Sequence, residues 1–287
     1  MSSTVLLTVI MLSVLGLFSA VILYFVAQKF KIVEDPRIDI VAETLPGVNC
    51  GGCGFSGCRA LAEAIVKSTS FEGLYCPVGG AETMGKVAVI LDRQPVAVEP
   101  RVAVLRCQGS PENCVRTSFY DGATNCRVAN ALYGGTTGCQ YSCLGSGDCV
   151  ISCKFDAMYM DPVTQLPVIR DEKCVSCGAC VKACPRNLIE LRKRNKKDRK
   201  IYVSCMNKDK GGPARKACKV ACIGCGKCVK ICPYDAITMV DNLAFIDSFK
   251  CKLCRKCAPE CPTSAILEIN FPVKEDKPAE PAEAVAK

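Results

Sequence analysis

Charge is missing from residues 4–27, where Val, Leu, Ile, Phe and Met dominate and no polar face interrupts the run. A helix of that length, rising about 1.5 Å per residue, crosses the ~30 Å hydrocarbon core of a bilayer. Nothing basic precedes the run and no Ala-x-Ala cleavage motif follows it, so the pattern predicts a membrane anchor and not a cleavable signal. The anchor covers residues 1–28 and crosses with 5–27. Lys29, Lys31 and Arg37 follow it, while only the terminal amine lies on its other side. By the positive-inside rule this is a single pass of the cell (inner) membrane with the rest of the chain cytoplasmic.

Beyond the anchor the apolar pattern breaks into short pieces. Residues 59–66 (R-A-L-A-E-A-I-V) place apolar side chains at helical spacing, and 127–132 predict a second short helix. Residues 101–107 (R-V-A-V-L-R-C) and 201–205 (I-Y-V-S-C) predict short strands, each leading into a cysteine. Residues 92–100, bounded by prolines, predict a linker, and the Pro/Ala/Glu-rich tail from Lys274 predicts disorder. None of these pieces is long enough to bury a conventional core.

Cysteine supplies what the apolar pattern lacks, at 25 of 287 residues. A disulfide framework fails: the count is odd, and spacings of two and three residues are too tight for independent bridges. Histidine is absent, which removes imidazole ligands, Rieske-type centres and most hydrolytic chemistry. The net charge of +9 suits an acidic partner or an anionic membrane face. No basic motif with interleaved aromatics accompanies it, so nucleic acid is not expected.

The spacing then names the chemistry. C222-I-G-C-G-K-C-V-K-I-C-P and C251-K-L-C-R-K-C-A-P-E-C-P are tandem C-x2-C-x2-C-x3-C-P runs, the pattern of a two-cluster ferredoxin in which each fourth cysteine ligates the other run's cluster. Cys222, Cys225, Cys228 and Cys261 are expected to hold one [4Fe–4S] cluster, and Cys251, Cys254, Cys257 and Cys232 its neighbour. The proline after the fourth cysteine is expected to turn the chain into a helix. An earlier pair is less regular: C139-Q-Y-S-C-L-G-S-G-D-C-V-I-S-C153 lacks the proline, whereas C174-V-S-C-G-A-C-V-K-A-C184-P is regular. The same crossover assigns Cys139, Cys143, Cys149 and Cys184 to one cluster, and Cys174, Cys177, Cys180 and Cys153 to the next. The tails C-K-F-D-A-M, C-P-R-N-L-I, C-P-Y-D-A-I and C-P-T-S-A-I make a fourfold repeat of a half-ferredoxin unit. Cys50, Cys53, Cys58 and Cys76, with glycines between the first three, can hold a further cluster, with zinc as the competing metal.

The expected class is α+β: a single transmembrane helix, a small [4Fe–4S] module (32–91), and two tandem 2[4Fe–4S] ferredoxin-like domains. The first of these domains, with an N-terminal extension, covers 92–200, the second 201–271, and a tail 272–287. Five clusters use twenty cysteines and leave Cys107, Cys114, Cys126, Cys205 and Cys218. Two readings stand for these: buried free thiols, or a sixth cluster on Cys107, Cys126, Cys205 and Cys218. Residues 186–200, with eight Lys or Arg against Glu190 and Asp198, read either as a solvated loop or as a docking surface for an acidic redox protein.

Taken together, the anchor, the stretch G47-V-N-C-G-G-C-G-F-S-G-C58 and the ferredoxin-type runs resemble the B subunit of Rnf complexes over nearly the whole chain, in a long form with two ferredoxin pairs. The resemblance implies a membrane complex that oxidises reduced ferredoxin, reduces NAD+ and moves Na+ or H+, with this chain as the electron entry. No G-x-G-x-x-G follows a strand, so nicotinamide and flavin are expected on other subunits. The expected route runs from the basic surface through successive clusters and leaves by Cys50–Cys76 beside the membrane. An electron-transfer subunit of another membrane oxidoreductase, of formate or hydrogen type, and a zinc scaffold are the other readings.

Overall fold

The structure is a computed structural model and describes residues 3–29, 35–94, 99–132 and 134–272. The tail from Lys274, the middle of the linker and Lys31 lie outside the described residues. Helix α1 (Ser3–Lys29) is apolar on every side, and its residues 5–29 are long and apolar enough to cross a membrane. Helices α2 (Arg37–Thr44), α3 (Cys58–Lys67) and α4 (Gly80–Ile90) follow. They close round Ile38, Val41, Leu61, Ile65, Met84 and Val87, and Cys53, Cys58 and Cys76 border that core.

Two cysteine-rich units come next, built on one plan. The first runs β1 (Arg101–Leu105), α5 (Cys126–Leu132), α6 (Asp148–Ile151), β2 (Met158–Met160), β3 (Pro167–Ile169), α7 (Ala179–Ala183) and β4 (Ile189–Lys193). The second runs β5 (Lys200–Val203), α8 (Gly211–Ala217), α9 (Lys227–Ile231), β6 (Ile237–Val240), β7 (Leu243–Ile246) and β8 (Ile266–Ile269). In each unit the strand before the cysteines pairs antiparallel with the strand after them. Arg101 faces Lys193 in the first unit and Lys200 faces Ile269 in the second, while β2–β3 and β6–β7 form the inner hairpins. Four separate two-stranded sheets are marginal by themselves. Buried cysteines therefore occupy the middle of both units.

The fourfold repeat is visible in the backbone. The third residue after each run's last cysteine (Asp156, Asn187, Asp235, Ser264) is left-handed, with φ of 49°, 52°, 46° and 53°. Short polar side chains tolerate that conformation. This corrects one expectation: the Cys-Pro step leads through a turn into a strand, not into a helix, because the left-handed residue reverses the chain onto its partner strand.

The basic stretch 186–200 is also corrected. Part of it is β4, and it binds the two units together. Arg192 is buried, bonds Glu190 at 2.5 Å, donates to the Ile246 carbonyl and stacks on Tyr202 and Phe245. Buried Arg106 joins the same carboxylate at 3.3 Å and reaches the Val203 and Cys205 carbonyls across the junction. Lys193 pairs with Glu99, Arg194 with Asp198, and buried Lys200 with Asp171. Only Lys196 and Lys197 among these cations are exposed, too few for a docking surface.

Replacing Glu190 with Gln leaves two buried guanidiniums without their shared counter-charge. Because Glu190 is itself 25% exposed, the expected cost lies below the full buried-pair figure, at about 2 kcal/mol. An anaerobic urea titration of the loaded protein should show it as a lower midpoint.

Candidate metal centres

Each cysteine loop is shaped by left-handed residues at two fixed places. Directly before the short helix that carries the third cysteine stand Gly147, Gly178 and Gly226, at φ of 81°, 75° and 71°; Arg255 holds that place in the fourth run at 65°. Two residues earlier stand Gly145, Ser176, Gly224 and Leu253, all left-handed as well. Alternating left- and right-handed residues turn successive backbone N–H groups toward one centre, which suits an anionic group.

This register re-reads the irregular run. C143-L-G145-S146-G147-D-C149 superposes on C222-I-G224-C225-G226-K-C228, so Ser146 stands where the second cysteine would be. Cys126 fills the gap from α5. Its amide is held by the Asp148 carboxylate at 3.0 and 3.1 Å, and its thiol lines one cavity with Cys143, Cys149 and Cys184. The expected place of Cys139 in that set is therefore corrected, since Cys139 lies in a different cavity. The repeated Gly-x-Gly was the signal that could have found this; counting from the first cysteine hid it.

Three other expected sets come together as spaced. Cys153, Cys174, Cys177 and Cys180 line one cavity, and Cys222, Cys225, Cys228 and Cys261 another. Cys251 lies close to Cys232 and Cys254, and Cys257 close to Cys251 and Cys254. Cys76 feels Cys58 and Cys53, while the Gly52 amide points at the Cys50 thiol from 3.5 Å.

The remaining cysteines make a sixth site with a different membership from that expected. Cys107, Cys114, Cys139, Cys205 and Cys218 ring one cavity between the two units; Cys126 is not among them. Cys107 accepts from the Gly109 amide at 3.3 Å and Cys205 from the Asn207 amide at 3.4 Å. Buried Asn207 also donates to Cys139 at 3.5 Å. Cys114 and Cys218 sit side by side across an isolated β-bridge, and Cys114 gives its thiol proton to the Ala217 carbonyl.

The donor set fits an all-thiolate iron–sulfur cube. The four cavities are alike in character, each lined by four or five thiols. Among the described residues no group of three potential ligands is placed to hold a single ion. Burial pushes Cys107, Cys143, Cys149, Cys180 and Cys257 up to about 12, and Cys139 and Cys228 up to about 11, with neighbouring thiols adding to the effect. Thiols so placed become thiolates only against a cation, and metal binding displaces their protons.

Neighbouring sites touch. Cys177 lies beside Cys50, and a Cβ on Gly52 would come within 2.7 Å of the Cys177 carbonyl, so that glycine allows the close approach. Cys149 lies near Cys180. The Cys143 amide donates to Cys107 at 3.4 Å, the Cys222 amide donates to Cys205, and Cys257 lies near Cys228.

Comparison with known proteins agrees with this chemistry. Residues 45–70 match a family described as "Putative Fe-S cluster", 142–188 and 221–265 match the 4Fe-4S dicluster domain, and 173–235 match the 4Fe-4S double cluster binding domain. The chain is 43% identical to the B subunit of the Na+-translocating ferredoxin:NAD+ oxidoreductase complex of Acetobacterium woodii, over 93% of this chain and 78% of that one. It is 41% identical to the B subunit of the proton-translocating counterpart in Clostridium ljungdahlii, over 93% of each chain. It is also 41% identical to the B subunit of the ion-translocating oxidoreductase complex of Methanosarcina acetivorans, over 93% of this chain and 99% of that one.

Cys126→Ala should remove about four irons per chain and the signal of one cube, while Cys139→Ala should leave that cube intact. Anaerobic iron and sulfide counting with electron paramagnetic resonance reads both. The reverse pattern would return Cys139 to the Cys143 site.

Proposed function

The chain belongs to the B-subunit family of ion-translocating ferredoxin:NAD+ oxidoreductase complexes, and from that membership we propose one continuous electron path through its cysteine sites. It is an iron–sulfur electron-transfer subunit of an oxidoreductase complex. Clusters held by these cysteines supply reversible one-electron chemistry, with potentials set by burial and by hydrogen bonds to sulfur. The chain's own task is to hold them close and dry.

The carrying observation is the site ringed by Cys107, Cys114, Cys139, Cys205 and Cys218, which touches both ferredoxin-type units. Without it the path would break at the junction. With it six sites form a series: Cys232/251/254/257, then Cys222/225/228/261, then the junction, then Cys126/143/149/184, then Cys153/174/177/180, then Cys50/53/58/76. The last lies in the unit that follows α1. We assign six [4Fe–4S] clusters, in place of five, with α1 as a single membrane anchor and these domains on its cytoplasmic side. Arg186 lies among Cys139, Cys143, Cys107 and Cys184, where its charge favours the more negative, reduced state.

Reduced ferredoxin is the donor in this reading, and other subunits of the complex receive the electrons. Residues 4–27 hold no charged side chain to carry an ion, and in this reading the ion path and the nicotinamide site belong to those subunits. The names of two relatives carry Na+ and H+ respectively, and nothing in α1 selects between them.

Anaerobically purified protein should contain about 24 irons per chain, against about 20 if the junction site is empty. Cys107→Ala/Cys205→Ala, which leaves three thiols at the junction, should lower the count by about four, leave the second unit reducible by ferredoxin, and stop electrons from reaching the Cys50 site. Cys53→Ala should instead stop transfer into the complex while every site above it still reduces.

A further inference from the structure

Resting on the path just proposed, we infer that the face around Cys225 and Cys254 is the docking surface for an acidic iron–sulfur electron carrier. Of the 25 cysteines these two alone are exposed, and each belongs to a different site at the far end of the series from α1. A one-electron donor that cannot enter the protein must come close to a site with little protein over it. No other cysteine offers that.

The surrounding charge is positive and unspent. Lys227, Lys230, Lys250, Lys252 and Lys256 are exposed, and each lies within two residues of a cysteine of these two sites. Among the described residues none of the five enters an ion pair; the pairs of this unit join Lys208 to Asp241 and Arg255 to Glu268. Asp235 and Glu260 are the exposed carboxylates left in the same stretch, so lysine is in excess. Lysine suits a transient complex: a hydrated point charge on a flexible stem steers without locking geometry. Exposed Ile231 and Tyr234, close to Lys230 in sequence, add apolar surface to the charged stretch.

The opposite end of the series lacks this character. There Arg59 pairs with Asp39 and Lys67 with Glu63, and among the described residues Lys182, which donates to the Gly51 carbonyl, is the lone cation at that site outside an ion pair. The occupant is thus a small acidic carrier with an exposed low-potential centre. One electron leaves the carrier and one enters the Cys225 or Cys254 site; no bond forms or breaks.

The test uses full-length loaded protein, a photoreduced acidic two-cluster ferredoxin as the probe, and the variant Lys227→Gln/Lys230→Gln/Lys252→Gln/Lys256→Gln. The second-order rate of reduction at low salt should fall about tenfold, and its dependence on ionic strength should flatten. Binding of the oxidised probe, read by surface plasmon resonance, should weaken in parallel. Reduction by dithionite and the iron count should stay unchanged, which separates lost docking from lost folding. Lys196→Gln/Lys197→Gln should leave rate and binding unaltered. Unchanged rate and binding in the fourfold variant would overturn this surface while leaving the electron path standing. Failure of wild-type protein to accept electrons from the ferredoxin would sink the path, and the surface with it.

Discussion

Thiols in the interior of this protein are in the wrong state for water and for each other. Burial drives many of them far above the ordinary cysteine range, and packing four or five into one small cavity makes a second negative charge costlier still. A metal cluster resolves this by binding thiolates and neutralising them together. The fold depends on that exchange because little else holds it: its strands are three to five residues long and pair only in twos. Folding and cofactor loading are therefore one equilibrium here, as in small metal-bound domains generally.

The same dependence explains why the two units sit as they do. Each is a closed ferredoxin-like pair with its own hairpin, and two such pairs side by side would present polar strand ends to one another. Arg106 and Arg192 cover those ends by donating to carbonyls of the second unit, and Glu190 offsets both charges. The segments that follow β1 and β5, freed at the same junction, bring Cys107 and Cys205 into one cavity. A structural seam thus becomes the meeting place of two electron-transfer units.

Much of this was legible in the sequence, for a physical reason. Cluster loops impose short, fixed spacings, so the sets at Cys174–Cys180, Cys222–Cys228 and Cys251–Cys257 read directly, as did the anchor from its unbroken apolar run. Cys126 was not legible by spacing, because a ligand from a separate helix carries no local period. Only the left-handed pair Gly145 and Gly147 betrays the Ser146 gap that it fills. Membership of the junction site was half legible. Cys107 with Cys205, and Cys139 with Cys218 four residues before Cys143 and Cys222, stand at parallel positions in the two repeats, but Cys114 reaches the site through a loop whose path no periodicity describes.

Charge was misread for an instructive reason. Residues 186–200 hold the densest run of cations in the chain, yet strand pairing turns alternate side chains inward, and carboxylates from distant segments meet them. The sparser lysines at 227–256 lie in loops and short helices wound tightly round cysteines. There the backbone is committed to the interior, and long side chains have nowhere to go but solvent. In a protein whose core is made of cluster sites, the basic surface follows the ligand loops. The positions that control how electrons enter are then set by the spacing that binds the metal.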